Sequence, residues 1–152
     1  MKSEAKQAVV LAGGMGTRLR PLTNTRPKPL LPILGRPCVE YVLRALGGAG
    51  VGEVYLTCGY RSADMMEALG DGSQYDIRMQ YNIEETPAGT AGAVKLLESR
   101  LEGTFVVASG DVLADVDIAA LVRQHKQRGA VATMALTTVD QPEEFGIVGL
   151  DE

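Results

Sequence analysis

No stretch of this 152-residue chain is apolar for long enough to cross a membrane, and its strongest short run, Ala8 to Ala12, lacks the small-residue cleavage site of a signal peptide. Positive charge is not in surplus: 15 Lys and Arg against 19 Asp and Glu leave a net charge of -4. That balance excludes a broad cationic face for nucleic acid or anionic lipid, so any phosphate site must be local. Cysteine is scarce. Cys38 and Cys58 sit in apolar stretches without metal or redox spacing, which reads as two buried free thiols and fits a reducing cytoplasm. The lone histidine, His125, lies in the polar stretch RQHKQR and is expected on the surface. Without a repeat of fixed period or a low-complexity tract, solenoids and linkers drop out. What remains is a soluble cytoplasmic protein with no nucleic-acid or membrane partner, its residues 1–152 forming one domain around one core.

The order of elements follows from apolar periodicity. QAVVLAG, from Gln7 to Gly13, is an unbroken apolar run suited to a strand buried on both faces. Arg20 to Pro37 carries prolines at 21, 27, 29, 32 and 37, which exclude a long helix and predict a loop wrapping the sheet edge. Cys38 to Ala49 places Val39, Val42, Leu43 and Leu46 on one helical face, with the glycines at 47, 48 and 50 as its stop. Strands are then expected from Glu53, Asp76 and Thr104 and over Ala130 to Val139; helices over Ser62 to Leu69, Thr90 to Leu101 and Ile118 to Gln127. Asp117 is the expected N-cap of the last helix, and Asp115 a surface residue. Strands alternating with ten-residue helices imply a Rossmann-like α/β fold: an open, mostly parallel sheet with helices on both faces. Ligands bind such sheets at the carboxyl ends of the strands.

Two of those ends, Gly13 to Thr17 and Ser109 to Asp111, carry the candidate chemistry. LAGGMGTRLRPL, from Leu11 to Leu22, sets Gly13, Gly14 and Gly16 directly after a buried strand, where bare backbone N–H groups can approach an anion. It is neither a P-loop, lacking Gly-Lys-Ser/Thr, nor a dinucleotide fingerprint, since Leu19 holds the third glycine position. Taken alone, the loop reads equally well as a tight turn. Arg18, a planar bidentate phosphate donor, and Lys28, a point charge braced by Pro27, Pro29 and Pro32, favour the phosphate reading; Arg20, Arg26 and Arg36 read as surface charge.

GGMGTRLRPLT followed by RPKPLLP resembles the signature of the sugar-1-phosphate nucleotidyltransferases, the NDP-sugar pyrophosphorylases, and the likeness runs in order through the later motifs. The resemblance implies that these enzymes' reaction, transfer of a nucleotide from an NTP to a sugar 1-phosphate with release of pyrophosphate, belongs here too. It assigns Leu11, Ala12, Gly13, Gly14, Gly16 and Thr17 to nucleotide binding, Arg18 to the β and γ phosphates, and Lys28 to the reacting phosphate. YNIEETPAGTAGAV, from Tyr81, supplies by the same likeness a base and ribose site at Glu84, Pro87, Gly89 and Thr90, with Thr90 also able to cap the next helix. Gly110 falls to the sugar phosphate and Asp111 of the G-D motif to Mg²⁺, a hard cation suited to oxygen ligands.

Glu84 bears on the base. Family members using thymidine or uridine nucleotides usually carry Gln there, whereas a carboxylate has only acceptors and matches the two adjacent donors on the pairing edge of guanine. That points to GTP, although Glu84 and Glu85 could exchange roles. EETPAGTAGAVK resembles mannose-1-phosphate guanylyltransferases more than the glucose-1-phosphate enzymes, so mannose 1-phosphate is the expected acceptor. Two other readings stay open: a glucose-1-phosphate thymidylyl- or uridylyltransferase, and a noncatalytic nucleotide-binding module paired with an active subunit. The resemblance covers the first part of a typical member, which implies that the protein is C-terminally truncated relative to the family. The sugar-binding half would be largely absent, and the exposed apolar surface would invite homo-oligomers or a partner subunit. The closing segment QPEEFGIVGLDE resembles the lead-in to that half.

Overall fold

A computed structural model describes residues 5–59, 61–141, 143 and 146–149. The closing QPEEFGIVGLDE segment therefore lies partly outside the described residues. In chain order the elements are β1 (Gln7–Leu11), β2 (Pro32–Ile33), β3 (Arg36–Pro37), α1 (Cys38–Ala49), β4 (Glu53–Cys58), α2 (Ser62–Leu69), β5 (Arg78–Ile83), α3 (Gly89–Lys95), β6 (Phe105–Ser109) and α4 (Ile118–Arg128). The main sheet is wholly parallel in the order β5-β4-β1-β6, while β2 and β3 form a small antiparallel hairpin. From β1 the chain steps outward to β4 and β5, then returns to lay β6 on the other side of β1. That reversal makes the carboxyl ends of β1 and β6 the topological switch point, the crevice where such sheets hold ligands.

The alternation of β1 sorts the two faces. Ala8 and Val10 join Val54 and Leu56 in a core closed by Val39, Leu43 and Leu46 of α1 and by Met65 and Leu69 of α2. Val9 faces the other way, against Tyr55 and Leu97, where Val94 at the end of α3 packs. Helices thus cover both faces, as the sequence pattern requires, and each fully buried Leu or Val contributes roughly 1.5–3 kcal/mol relative to exposure.

Several boundaries depart from expectation. Gly47 and Gly48 do not stop α1; they lie inside it, and the helix ends at Gly50. A Cβ on Gly47 would stand 2.1 Å from the Tyr75 carbonyl oxygen, so glycine is kept there for the close approach of the turn before β5. The helix expected over Thr90 to Leu101 closes at Lys95 and gives way to a single 3-10 turn at Glu98–Arg100. The expected strand over Ala130 to Val139 is not a strand among the described residues: Val131, Met134 and Leu136 are exposed, and the segment pairs with no neighbour. Alternating apolar residues specify a strand only where a partner strand and a buried face receive them. The proline-rich loop packs on α1 through Pro29 and Leu30, and its far side reaches the carboxyl end of the sheet. Cys38 and Cys58 are buried free thiols, Asp117 accepts a 2.8 Å hydrogen bond from Ala120 N–H as the cap of α4, and His125 bonds Thr133 Oγ1 at 2.9 Å. No helix among the described residues is long and apolar enough to cross a membrane.

Candidate functional site

A cleft of about 490 Å³ opens at the switch point, within the size range of small-molecule sites. One wall is Leu11 and Ala12 at the end of β1 with the loop Gly13, Gly14, Gly16, Thr17 and Arg18. Lys28 enters from the proline-rich loop and Asp111 from the turn after β6. Glu84, Pro87, Gly89 and Thr90 form the wall between β5 and α3. The structure thus gathers all but one of the candidate residues; Gly110 is buried beneath the floor, against Val10 and Val39, with its N–H donated to Leu11 O.

The glycine loop is built to present donors. Ala12 N–H still bonds Thr57 O at 3.0 Å, but among the described residues none of the backbone N–H groups from Gly13 through Arg18 has an acceptor in the protein; Leu19 N–H is the next to find one, at Gly16 O. A run of bare amides beside a turn of helix is an anion-binding concavity. Gly16 sits at φ +62°, where an added Cβ would lie 2.9 Å from Thr23 Cγ2 and 3.0 Å from Lys28 Cβ. Only glycine fits that turn. Arg18, on the 3-10 turn Thr17–Leu19, is exposed and has no ion-pair partner among the described residues.

Lys28 Nζ and Asp111 Oδ2 are 2.7 Å apart, each side chain about one-third exposed. Ser109 donates to the other carboxylate oxygen, Oδ1, at 2.7 Å. Burial pushes the Asp111 carboxyl up, but the hydrogen bonds from Lys28 and Ser109 outweigh it and hold the group below the ordinary aspartate value. Asp111 is therefore ionised at neutral pH.

Glu84 is fixed at both ends. Its N–H bonds Cys58 O at 2.8 Å and its Oε2 accepts from Ala88 N–H at 3.1 Å. The carboxylate thereby closes the turn before α3, and Thr90 is not the cap: α3 begins at Gly89 and has no side-chain cap at Ala88. A Cβ on Gly13 would lie 3.8 Å from Glu84 Oε1, so this carboxylate sits directly beside the start of the glycine loop. Glu85 is exposed and does not line the cleft, which separates the two glutamates. Behind them the Cys58 thiol is pushed up to about 11 by burial and by the Glu84 charge, and is inert near neutrality.

Sequence reasoning gave no role to Thr57, Met15 and Ala93, which line the cleft, or to the supporting hydroxyls of Ser109 and Thr23. Thr23 closes the motif RLRPLT, yet its position under the loop depends on the intervening turns. Among the described residues there is no cluster of three or more His, Cys, Asp or Glu able to cage a metal. A lone, ionised Asp111 beside an anion cradle suits a cation completed by phosphate oxygens and water, the habit of Mg²⁺.

A family model described as nucleotidyl transferase matches residues 7–152. The protein is 40% identical over 146 residues to a mannose-1-phosphate guanyltransferase of Emericella nidulans, covering 93% of its own length and 40% of that protein. It is 40% identical over 153 residues to a mannose-1-phosphate guanylyltransferase of Mycobacterium tuberculosis, covering 100% of its own length and 43% of that one. It spans about 40% of the length of these curated relatives. Among solved structures, a Bacillus anthracis protein described as a glucose-1-phosphate thymidylyltransferase superposes with a TM-score of 0.74 at 27% identity, over 80% of the present protein and 50% of that one. HddC from Yersinia pseudotuberculosis, complexed with GMP-PN, superposes at 0.70 and 28% identity, over 79% of the present protein and 54% of its own length.

Proposed function

The protein belongs to the nucleotidyl transferase family, and we propose that residues 1–152 form the nucleotide-binding portion of a sugar-1-phosphate nucleotidyltransferase that uses GTP and mannose 1-phosphate. The observation that carries this reading is the run of backbone N–H groups from Gly13 through Arg18, without acceptors among the described residues, in a segment lining a cleft that also holds Lys28 and Asp111. Such a surface suits a triphosphate rather than a neutral ligand.

In the proposed reaction a sugar-phosphate oxygen attacks the α phosphorus of the nucleotide, a new P–O bond forms, and the bond to the bridging α–β oxygen breaks as pyrophosphate leaves. The attacking oxygen is already ionised, so no general base is needed, and His125 does not line the cleft. Positioning and charge neutralisation are what the protein supplies. The loop amides from Gly13 to Thr17 orient the phosphates, Arg18 holds the leaving pyrophosphate, and Lys28 neutralises charge at the transferring phosphate. Mg²⁺ bound at Asp111 would supply further charge neutralisation on the phosphate oxygens. Gly110, expected at the sugar phosphate, is buried with its N–H already donated to Leu11 O, so its part is to turn the chain between Ser109 and Asp111.

Glu84 supports guanine. Oε2 already accepts from Ala88 N–H, which holds the carboxylate in one orientation, and each oxygen keeps a free lone pair for the two donors of the guanine edge. Pro87, Gly89 and Thr90 then contact the base and ribose from the same wall. The names of the curated relatives favour the same substrate pair, while the thymidylyltransferase neighbour favours a second reading with glucose 1-phosphate and a pyrimidine nucleotide. The buried free thiols support a reducing compartment, the cytoplasm.

Titration calorimetry with GTP, dTTP and UTP in Mg²⁺, followed by a pyrophosphate-release assay with mannose 1-phosphate and glucose 1-phosphate, tests the proposal. GTP binding with release on mannose 1-phosphate is the expected result. Binding without release reduces the protein to a nucleotide-binding module, and no binding overturns the site.

A further inference from the structure

Thr23 is one of two buried polar residues among the described residues, at 2% exposure, and neither its burial nor its bond follows from the need to fill space. Its hydroxyl donates to Gly16 O at 2.9 Å, and the same carbonyl accepts from Leu19 N–H at 3.0 Å. Both lone pairs of that oxygen are therefore used, and the bond from buried Thr23 draws it toward the interior.

A planar trans peptide points its C=O and its N–H in opposite directions. The Gly16–Thr17 peptide is trans, the cis bond among the described residues being Arg20-Pro21. With Gly16 O drawn down to Thr23, the N–H of Thr17 is turned away from Thr23, toward the cleft that Thr17 lines, and it has no acceptor among the described residues. Rotating the peptide would strand the Thr23 hydroxyl in a buried place without a partner, which opposes the flip. The Thr23 methyl and the Lys28 stem both crowd the place a Cβ on Gly16 would take, so the loop, Thr23 and the root of the cation meet at one point.

We propose that Thr23 is a positioning residue for triphosphate binding, its buried hydroxyl locking the Gly16–Thr17 peptide so that the Thr17 amide meets a phosphate oxygen. This rests on the reading of the glycine loop as a phosphate site. It makes the hydroxyl, rather than the packing of the side chain, the element that matters, and it confines the effect to the phosphate tail of the ligand.

The test compares Thr23→Val, which keeps the shape and loses the hydroxyl, with Thr23→Ser, which keeps the hydroxyl and loses the methyl. Calorimetry with GTP and with GMP is expected to show Thr23→Val losing about 10-fold toward GTP, the scale of one charge-assisted hydrogen bond. Its GMP affinity should stay within about 2-fold of wild type, and Thr23→Ser should retain GTP affinity to the same degree. In wild-type protein, the Thr17 amide resonance should shift on adding inorganic tripolyphosphate, a measurement that does not depend on the folding of either variant. Equal losses toward GTP and GMP, or a Thr17 amide unmoved while GTP binds, overturn the proposal and leave the nucleotide site standing. A wild-type protein that binds neither GTP nor tripolyphosphate removes the site itself.

Discussion

Lys28 Nζ stands 2.7 Å from Asp111 Oδ2, so the cation braced in the proline-rich loop and the carboxylate after β6 neutralise each other across the mouth of the cleft. Both side chains are about one-third exposed, and a pair so placed is worth only about 0–1 kcal/mol. A triphosphate offers Lys28 a denser anion and a divalent cation offers Asp111 a denser charge, so the weak pair yields to the ligand.

Replacing Asp111 by Asn should therefore act in two directions. In the presence of EDTA, GTP affinity is expected to rise by up to about 5-fold, because Lys28 loses its internal anion. With Mg²⁺ present the gain that the metal confers on wild type should vanish. Calorimetry with and without metal reads both, and an Asp111→Asn protein that keeps the full metal dependence places the cation elsewhere.

Glu84 carries the base argument into a measurable ratio. Glu84→Gln preserves length and the acceptor that holds Ala88 N–H, but replaces one acceptor oxygen by an NH₂ donor. The ratio of GTP to UTP affinity should fall by about 10-fold or more, since one of the two guanine donors then meets a donor. An unchanged ratio ends the guanine assignment while leaving the phosphate site intact.

The parts of the molecule that could be read from sequence are those decided locally. The consecutive apolar residues Ala8 to Leu11 suit a strand covered on both faces, and the spacing of Val39, Leu43 and Leu46 suits a helix facing a core. The glycine loop, Arg18, Lys28, Glu84 and Asp111 were marked out in the sequence by residue type together with the family resemblance, and the structure brings them to one cleft. What escaped depends on distant neighbours. Gly47 is kept by the Tyr75 carbonyl, a contact between residues 28 positions apart, so it looked like a helix stop. Thr23 and Ser109 serve other site residues through hydroxyl bonds, and a hydroxyl in sequence carries no mark of its acceptor. The alternating segment from Ala130 failed for the opposite reason: its pattern is right for a strand, but no partner strand among the described residues is there to pair with it.

At the amino ends of the strands, Glu53 ties three strands together: it accepts from Gln7 on β1 at 3.0 Å, from Tyr55 at 3.1 Å and from Arg78 on β5. The Gln7 hydrogen bond and then the Arg78 hydrogen bond lower its carboxyl below 4.5, against the opposing effect of burial. The unfolded protein takes up this proton near 4.5 and the folded one only at lower pH. The stabilisation is thus complete above that value and is lost as pH falls through the depressed folded value. Glu53→Gln should melt at a lower temperature at neutral pH, and its melting temperature should decline less steeply than wild type between about pH 5 and pH 3. Parallel pH slopes for the two proteins would remove Glu53 from the account of acid stability.

Two glycines of the same loop should respond differently to one methyl group. At Gly16, φ +62° and would-be contacts of 2.9 Å to Thr23 Cγ2 and 3.0 Å to Lys28 Cβ oppose any side chain. Left-handed backbone costs an L residue roughly 1–2 kcal/mol. The two contacts add to that, and relief requires Thr23 or Lys28 to move. Gly14 has nothing within 4 Å of an added Cβ and no positive φ. Gly16→Ala is therefore expected to lower the melting temperature and to weaken GTP binding by about 10-fold or more, since the displaced groups are the loop amides and the lysine root. Gly14→Ala should melt as wild type, so that any change in its GTP affinity reports the cleft alone. Were Gly16→Ala to lose stability yet bind GTP as wild type does, the turn would be a structural corner rather than part of a phosphate cradle, and the site would have to be rebuilt around Lys28 and Asp111 without it.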